Sequence, residues 1–332
     1  MNNPLNNHFL DDFDIECGKR LEIFETAWRR KYAVQIANEF PLRSKQVALM
    51  MMKPSLRTRL SFTVAVRMLG GDVIEIGPQN TKLGQGEEMQ EWASVLGRMV
   101  DAIVARVDDH EILEQLKLFS GVPVINGLSD QLHPCQGLAD AFTVWEHAKL
   151  RGDETAKTAK KFYEQEHQWA WLGDGNNVAH SLLLSCASLG VKLKVACPPG
   201  HGVNFDVLKR AQKAHRYGDD GIQILTDPNE AVHGASVVCT DTWISMGEEK
   251  RKSGSKLSET ISVFSNFRVD EERMNKAKPG AIFLHCLPAQ PGNEVSEGVL
   301  RGPSSRVLEE AENRLWTTSA LLSQFAFCSI DQ

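Results

Sequence analysis

The segment Lys53-Pro54-Ser55-Leu56-Arg57-Thr58-Arg59 places two guanidinium groups and two hydroxyls where a helix is predicted to begin. It follows the apolar run Val47 to Met52 and precedes apolar residues at helical spacing. The first N–H groups of a helix are unpaired and carry partial positive charge, and arginine can bind two phosphate oxygens at once. We therefore interpret the segment as a phosphate-binding site, although Arg-rich helix starts are also common on solvated helix faces.

Five further groups of reactive side chains come directly after apolar runs that are short enough to be strands. They are Arg106, His133-Pro134-Cys135-Gln136, Gly173-Asp174-Gly175-Asn176-Asn177, the segment Asp241 to Gly247, and His285-Cys286-Leu287-Pro288. Ligands of open parallel sheets bind outside the carboxyl ends of the strands, so these groups are expected to converge on one crevice. Taken singly, His133 could simply cap a helix and Cys286 could be a core thiol.

Strand-like and helix-like segments alternate along the chain, which is the pattern of an α/β protein. The nine predicted strands are Val47 to Met52, Val73 to Ile76, Ala102 to Ala105, Val122 to Ile125, Trp169 to Leu172, Val191 to Ala196, Ile222 to Leu225, Val237 to Cys239 and Ala281 to Leu284. The helical stripes that separate the early strands are Phe62, Ala65, Val66, Leu69, which end at Gly70-Gly71, and Trp92, Val95, Leu96, Met99.

Two such series of strands, separated by the polar stretch Arg151 to Gln168, predict two doubly wound parallel-sheet domains. The expected division is residues 1–149 and residues 150–310, with a C-terminal helix at about 311–328 packing back onto the first domain. The active site is expected in the cleft between the two domains. The polar, Lys-rich segment Gly247 to Ser258 is interpreted as a mobile lid.

The composition excludes several classes of protein. With 332 residues, 42% hydrophobic residues and a net charge of -6, the chain can bury large cores but is poorly suited to nucleic acid or an anionic membrane. No apolar run approaches the roughly 18 residues that span a bilayer, and no signal-peptide pattern opens the chain, so a cytoplasmic protein is expected. Seven scattered cysteines without a Cys-x-x-Cys pair are expected to be free thiols.

No cofactor or metal is predicted. Gly173-Asp174-Gly175 resembles the start of a dinucleotide fingerprint, but Val178 stands where the third glycine is needed. No group of histidines and carboxylates has metal-ligand spacing, and no Gly-x-Ser-x-Gly segment supplies a serine nucleophile. The site is therefore expected to bind and polarise its substrates rather than attack them.

Three of these motifs together resemble the transcarbamylase family: Ser55-Leu56-Arg57-Thr58-Arg59, His133-Pro134-Cys135-Gln136 and His285-Cys286-Leu287-Pro288. Asp241-Thr242-Trp243-Ile244-Ser245-Met246-Gly247 is similar to the ornithine branch in particular. The similarity extends from Asn7 to Trp316 with the motifs in the expected order. It implies transfer of a carbamoyl group from carbamoyl phosphate to ornithine, giving citrulline and phosphate, by a homotrimer or an assembly of trimers.

The resemblance also implies roles for individual residues. Phosphate would be held by Ser55, by Leu56 through its backbone, and by Arg57 and Thr58 in the first domain, while Arg106, His133 and Gln136 would hold the carbamoyl group, with Arg314 and Cys286 nearby and Lys82 reaching in from an adjacent chain. In the second domain, ornithine would be held by Asn177, Asp241, Ser245, Met246, Cys286 and Leu287. The residues expected to take part in catalysis are Arg57, Thr58, Arg106, His133 and Cys286.

The sequence departs from the family pattern at Met52, Thr63, Lys82 and Gln290-Pro291, which is expected to affect substrate affinity more than reaction class. Two alternatives stay open. One is a transcarbamylase that acts on another amine, such as aspartate, putrescine or an N-acylated ornithine. The other is a catalytically silent relative that serves as an oligomeric scaffold; the charged residues of the site argue against it, because buried charges are costly without a ligand.

Overall fold

The computed structural model describes residues 8–32, 39–80, 88–244 and 255–325. The chain divides into two compact units: Met1–Phe142 with Glu312–Gln332, and Thr143–Ala311. Each unit contains one five-stranded sheet in which every strand pair is parallel. The predicted α/β class with two parallel sheets is confirmed.

The first sheet has the strand order β1-β5-β4-β2-β3. Its strands are β1 His8–Phe9, β2 Gln46–Met51, β3 Asp72–Ile76, β4 Ala102–Arg106 and β5 Val124–Leu128. The helices in this part of the chain are α1 Cys17–Tyr32, α2 Leu56–Met68, α3 Met89–Leu96, α4 His110–Phe119 and α5 Pro134–Leu150, with short 3-10 helices at Asp12–Asp14 and Pro78–Asn80.

The second sheet has the order β10-β9-β6-β7-β8. Its strands are β6 Gln168–Leu172, β7 Lys192–Ala196, β8 Ile222–Leu225, β9 Val237–Thr240 and β10 Ile282–His285. The helices are α6 Ala159–Tyr163, α7 Asn177–Leu189, α8 Phe205–Ala214, α9 Pro228–Val232, α10 Ser255–Phe264, α11 Glu271–Met274, α12 Glu297–Leu300 and α13 Val307–Leu322, with 3-10 helices at Glu154–Lys157, Gly218–Gly221 and Ser265–Phe267.

Buried apolar runs explain the central strands. Val47 to Met50 in β2 are all buried, as expected for a parallel strand that is covered on both faces. Phe62, Ala65 and Val66 form the buried face of α2, which ends just before Gly70 at a positive φ of 87°. The predicted stripe of this helix is therefore confirmed.

Each sheet reverses its direction of growth once. In the first sheet the chain runs from β2 outward to β3 and then continues on the other side of β2 with β4. In the second sheet it runs from β6 outward to β7 and β8 and then continues on the other side of β6 with β9. Such reversal points leave a crevice at the carboxyl ends of the two strands that flank them, where α/β proteins bind ligands.

The predictions were inaccurate in four places. The strand predicted at Val122 to Ile125 runs two or three residues later, as β5, and β1 was not predicted. Val95 and Met99 were expected on a buried stripe but are 51% and 70% exposed. Ser255 to Ser258, expected in a loop, begin α10, whereas residues 247–254 of the predicted lid lie outside the described residues.

Two further observations concern the described residues. None of their helices is long and apolar enough to cross a membrane. Six of the seven cysteines fall among them, and all six are free thiols. Cys135, Cys186, Cys197 and Cys239 are buried, whereas Cys17 and Cys286 are partly exposed.

Candidate active site

The phosphate-binding segment lies at the reversal point of the first sheet. Ser55 caps α2, its hydroxyl accepting a hydrogen bond from the backbone N–H of Thr58 at 3.3 Å. The Ser55 and Thr58 hydroxyl oxygens are 3.2 Å apart. Arg106 ends the neighbouring strand β4, where it pairs in register with Met51 of β2. The structure thus brings the capped start of α2 and Arg106 to the carboxyl ends of adjacent strands, as predicted.

The two guanidinium groups in this segment have different surroundings. Arg59 forms a bidentate ion pair with Glu75 of β3, with Nε to Oε1 at 2.9 Å and Nη2 to Oε2 at 2.6 Å. Arg57 instead lies close enough to His133 to affect the pKa of its imidazole. The ion pair with Glu75 gives Arg59 a partner within the protein, and Arg59 was not among the residues assigned to phosphate.

His133 is the buried centre of this group of cations. Burial, and then the charges of Arg314, Arg106 and Arg57, hold the pKa of its imidazole well below the ordinary value. The ring is therefore neutral at physiological pH. Because Arg314 and His133 both belong to the first unit, residues that are far apart in sequence meet here within one unit.

The partner of His133 selects its tautomer. Nη1 of Arg314 lies 3.2 Å from Nε2 of His133. A guanidinium group can only donate, so Nε2 must accept, and the ring proton of the neutral imidazole is assigned to Nδ1. His133 can therefore act as a neutral N–H donor through Nδ1.

Gln136 completes the network and connects it to a residue that the sequence did not single out. The Arg314 Nη1 group donates to Oε1 of Gln136 at 2.8 Å, and Nε2 of Gln136 donates to Oδ1 of Asp140 at 2.7 Å. Gln136 and Asp140 lie one turn apart on α5 and are both buried. Asp140 thus fixes which end of the Gln136 amide faces Arg314. The i, i+4 spacing of the two residues was a signal that could have revealed it.

We refer to Ser55, Arg57, Thr58, Arg106, His133, Gln136 and Arg314 as the first-unit site. Leu56, which was predicted to contribute its backbone, is the first residue of α2, and its side chain is 69% exposed. Lys82, predicted to reach in from an adjacent chain, lies outside the described residues.

A second group of side chains lies at the reversal point of the second sheet, and we refer to Asn176, Asp241 and Cys286 as the second-unit site. Asp241 and Cys286 directly follow β9 and β10, which pair in register up to Thr240 and His285. The Cys286 thiol donates to Oδ1 of Asp241 at 3.1 Å. Asp241 is buried and Cys286 is partly exposed.

Asn176 also binds Asp241, and sequence reasoning missed its role. Its Nδ2 group donates to Oδ2 of Asp241 at 2.8 Å. Its Oδ1 atom caps α7 by accepting from the N–H groups of Val178 and Ala179. The residue that had been predicted, Asn177, is the first residue of α7. An asparagine that precedes a helical pattern is a strong N-cap signal and could have identified Asn176.

The turn after β10 has an unusual backbone. Leu287 has a φ of 58°, in the left-handed region that costs a residue with a β-carbon about 1–2 kcal/mol. His285 stabilises this turn, because its Nδ1 atom accepts a hydrogen bond from the Leu287 N–H at 2.9 Å. His285 is almost fully buried, as are the two acidic residues beside it, Glu294 and Glu310.

Asp241, His285 and Cys286 offer ligand-type atoms that all lie within 4.8 Å of one another. The expectation that no histidine and carboxylate have metal-ligand spacing was therefore wrong, because the sheet brings together residues 45 positions apart. Within the protein, however, the Cys286 thiol is hydrogen-bonded to the Asp241 carboxylate, and Nδ1 of His285 accepts a hydrogen bond from the backbone N–H of Leu287.

The glycines that suggested a dinucleotide fingerprint have local packing roles. A β-carbon at Gly175 would lie 2.3 Å from the backbone of Gly202 and Val203. Gly173 has a φ of 123°, which L-residues rarely adopt. These constraints explain both glycines without a bound nucleotide. Ser245 and Met246, predicted to contact ornithine, lie outside the described residues.

Comparisons with known proteins identify the family of the chain. The family models "Aspartate/ornithine carbamoyltransferase, carbamoyl-P binding domain" and "Aspartate/ornithine carbamoyltransferase, Asp/Orn binding domain" match residues 7–146 and 165–325. The ornithine carbamoyltransferase of Rhizorhabdus wittichii is 42% identical over 320 residues, which cover 95% of this chain and 96% of the relative.

Solved structures give the same result. The ornithine carbamoyltransferase of Pyrococcus furiosus superposes with a TM-score of 0.87 and 38% identity over 98% of both chains. The anabolic ornithine carbamoyltransferase of Campylobacter jejuni superposes with a TM-score of 0.83 and 34% identity, covering 95% of this chain and 97% of that one. The resemblance inferred from the sequence motifs is thus confirmed, and the chain belongs to the aspartate/ornithine carbamoyltransferase family.

Proposed function

We propose that this protein is an ornithine carbamoyltransferase, which transfers the carbamoyl group of carbamoyl phosphate to the side-chain amine of L-ornithine and releases L-citrulline and phosphate. One observation carries the proposal: a buried, neutral His133 lies among Arg57, Arg106 and Arg314 beside the capped start of α2. Three permanent cations around a neutral donor suit a substrate that carries phosphate next to a polar carbonyl group.

The first-unit site binds carbamoyl phosphate. The phosphate oxygens accept hydrogen bonds from Ser55, Thr58, the Leu56 backbone and Arg57, where the start of α2 adds partial positive charge. Arg106, His133 and Gln136 bind the carbamoyl group, and Arg314 orients the last two.

The neutral state of His133 suits the reaction step. As the amine attacks, negative charge develops on the carbonyl oxygen, and hydrogen-bond donors aimed at that oxygen stabilise the transition state by about 3 kcal/mol each. The Nδ1–H group of His133 is such a donor, and Thr58 and Arg106 are the others. The new C–N bond forms as the C–O bond to phosphate breaks. Arg57 stabilises the leaving phosphate, which takes the proton that the amine loses.

The second-unit site binds ornithine. The Asp241 carboxylate pairs with the α-amino group, and Asn177 donates to the α-carboxylate, with Ser245 and Met246 contributing from the segment that follows Ile244. Cys286 and Leu287 line the path of the side-chain amine. This amine must lose a proton before it attacks, since its unperturbed pKa lies near that of lysine, about 10.4. Removal of water around the amine lowers that pKa.

The enzyme acts as a homotrimer, with Lys82 of one chain completing the phosphate site of the next. An apolar stripe on α2 supports this proposal: Leu56, Leu60, Val64 and Met68 recur every four residues and are 38% to 69% exposed. A stripe of this length on one helix face is typical of a surface that another protein covers, and a second copy of the chain is the occupant we propose. We also infer a cytoplasmic location, because six cysteines are free thiols.

A citrulline assay on the purified protein tests the activity. Carbamoyl phosphate is supplied with L-ornithine, L-aspartate, putrescine or N-acetyl-L-ornithine in parallel reactions, and each carbamoylated product is quantified. Turnover with L-ornithine alone is expected. Preferential turnover of another amine would reassign the acceptor, and absence of product with every amine would contradict catalysis and favour a scaffold.

A further inference from the structure

We propose that Glu294 and Glu310 are positioning residues that act through His285 to hold Cys286 and Leu287 in place for the acceptor amine. The proposal rests on the proposed function, because it assigns this turn to the ornithine end of the reaction. The sequence assigned no role to either glutamate. The side chains of both are buried, at 0% and 1% exposure.

Three backbone N–H groups of the turn each donate a hydrogen bond to a buried side chain. The N–H of His285 donates to Oε2 of Glu310 at 2.8 Å, and the N–H of Leu287 donates to Nδ1 of His285 at 2.9 Å. The N–H of Gln290 donates to Oε1 of Glu294. Residues on both sides of Cys286 are therefore fixed by hydrogen bonds that do not depend on a bound substrate.

His285 connects the two ends of this arrangement. Since its Nδ1 atom accepts a hydrogen bond, the ring proton is assigned to Nε2. Nε2 lies 3.4 Å from Oε1 of Glu294 but has no hydrogen-bond partner among the described residues, so Glu294 is its neighbour rather than its acceptor. Burying two acidic side chains and an imidazole is unfavourable unless they have polar partners. Apolar residues of similar size would fill the same space at lower cost, so packing alone does not explain this set of residues.

The expected consequence concerns the thiol. Cys286 lies between the two N–H groups that His285 and Glu310 fix, and its Sγ atom is held 3.1 Å from Oδ1 of Asp241. Leu287, the next residue, keeps its left-handed conformation while its N–H is bound to His285. Loss of the imidazole should release the turn and separate the thiol from the carboxylate.

Two substitutions of His285 separate positioning from packing. Asparagine can accept a hydrogen bond from the N–H two residues ahead, so His285→Asn retains the bond to Leu287, whereas His285→Leu removes it. His215 provides a matched control, because this buried histidine of the same unit also accepts from the N–H two residues ahead, that of Tyr217, at 3.0 Å. His215→Leu thus removes an equivalent bond elsewhere in the unit.

The readouts are the ornithine KM, the carbamoyl phosphate KM and the alkylation rate of Cys286. Alkylation by iodoacetamide is followed on the peptide that contains Cys286, with the partly exposed Cys17 as internal reference. His285→Leu should raise the ornithine KM and the alkylation rate about tenfold, which is the scale of one lost buried hydrogen bond, and leave the carbamoyl phosphate KM within about twofold. His285→Asn should remain within about threefold of the unsubstituted protein.

Equal effects of His285→Asn and His285→Leu, or an alkylation rate that His215→Leu raises just as much, would overturn the proposal. If His285→Leu fails to fold, Glu294→Gln and Glu294→Leu are compared instead, with the same readouts. Glutamine can still accept a hydrogen bond from the Gln290 N–H and leucine cannot, so only Glu294→Leu should raise the ornithine KM and the alkylation rate. The alkylation readout requires no turnover. A protein that makes no citrulline would therefore refute the proposed function and still leave the turn testable.

Discussion

At the scale of single residues, Arg314 determines which nitrogen of His133 is available to a substrate. Arg314 donates into Nε2, so the proton of the neutral ring lies on Nδ1. The sequence resemblance implied that His133 would hold the carbamoyl group, but it could not indicate the tautomer. That information depends on a contact between residues 181 positions apart.

Substitutions of His133 test the tautomer. The amide of asparagine can place an N–H group near the position of Nδ1, whereas that of glutamine reaches toward the position of Nε2. We expect His133→Asn to retain clearly more kcat than His133→Gln, and His133→Ala to lose about 10²–10³ in kcat, the usual effect of removing such a donor. Initial rates of citrulline formation at saturating substrate check this order. Greater activity in His133→Gln than in His133→Asn would contradict the tautomer.

Asp140 does not bind the substrate in the proposed function but is hydrogen-bonded to Gln136, which does. Removing its carboxylate in Asp140→Ala frees the Gln136 amide to rotate, so the KM of carbamoyl phosphate should rise about fivefold to tenfold while that of ornithine changes little. Asp140→Asn still offers a carbonyl acceptor and is expected to have a smaller effect. Steady-state kinetics with each substrate varied in turn measure both constants. A parallel rise of both KM values would show that the residue has only a general structural role.

At the scale of elements, most strands could be predicted from the sequence. A parallel strand that is buried on both faces needs apolar residues at successive positions, so it is visible as a continuous apolar run. β1 could not be predicted, since its two residues are defined only by pairing with Val124 and Ile125, far away in the sequence. The stripe of α3 was wrong at Val95 because periodicity reports only which residues share a face, and a face is buried only if another element covers it. It was wrong at Met99 because the helix ends at Leu96.

The start of α2 combines two roles that substitution of Ser55 can separate. Ser55→Ala should lower the free energy of unfolding by about 1 kcal/mol, because the helix loses its N-cap. Ser55→Asp keeps a capping oxygen and should retain stability, but its negative charge should repel phosphate and raise the KM of carbamoyl phosphate more than alanine does. Urea denaturation and steady-state kinetics give the two quantities. Unchanged phosphate affinity in Ser55→Asp would argue against a phosphate at this helix start.

At the scale of the whole molecule, the sequence indicated two sheets, and the strand-end rule correctly placed Ser55 beside Arg106 and Asp241 beside Cys286. It did not identify Asn176 and Asp140, although a helix-cap signal and an i, i+4 signal existed for them, and it could not identify Glu294 and Glu310 as supporting residues. Their roles arise from hydrogen bonds to groups that the fold brings close, and residue type alone does not encode such partners.

The apolar stripe of α2 predicts self-association. The double substitution Leu60→Glu with Val64→Glu places two charges on the stripe without altering Leu56, and it should shift the protein toward a monomer in sedimentation velocity experiments. Leu308→Glu is the matched control, because Leu308 is a leucine of α13 that is 72% exposed outside the stripe. Identical sedimentation of the double variant and the control would contradict an interface at α2.

The reversal of strand order occurs once in each sheet, and each reversal carries its own set of reactive groups. In the proposed function, the residues that bind the phosphate of the donor and those that bind the acceptor therefore lie in separate stretches of chain, each with its own supporting hydrogen bonds. On that proposal, we expect mutations after β6, β9 or β10 to change which amine is accepted and to leave the proposed phosphate site after β2 unchanged. New acceptor specificities could therefore arise, by evolution or by design, through changes in the second unit alone, while the first unit is kept.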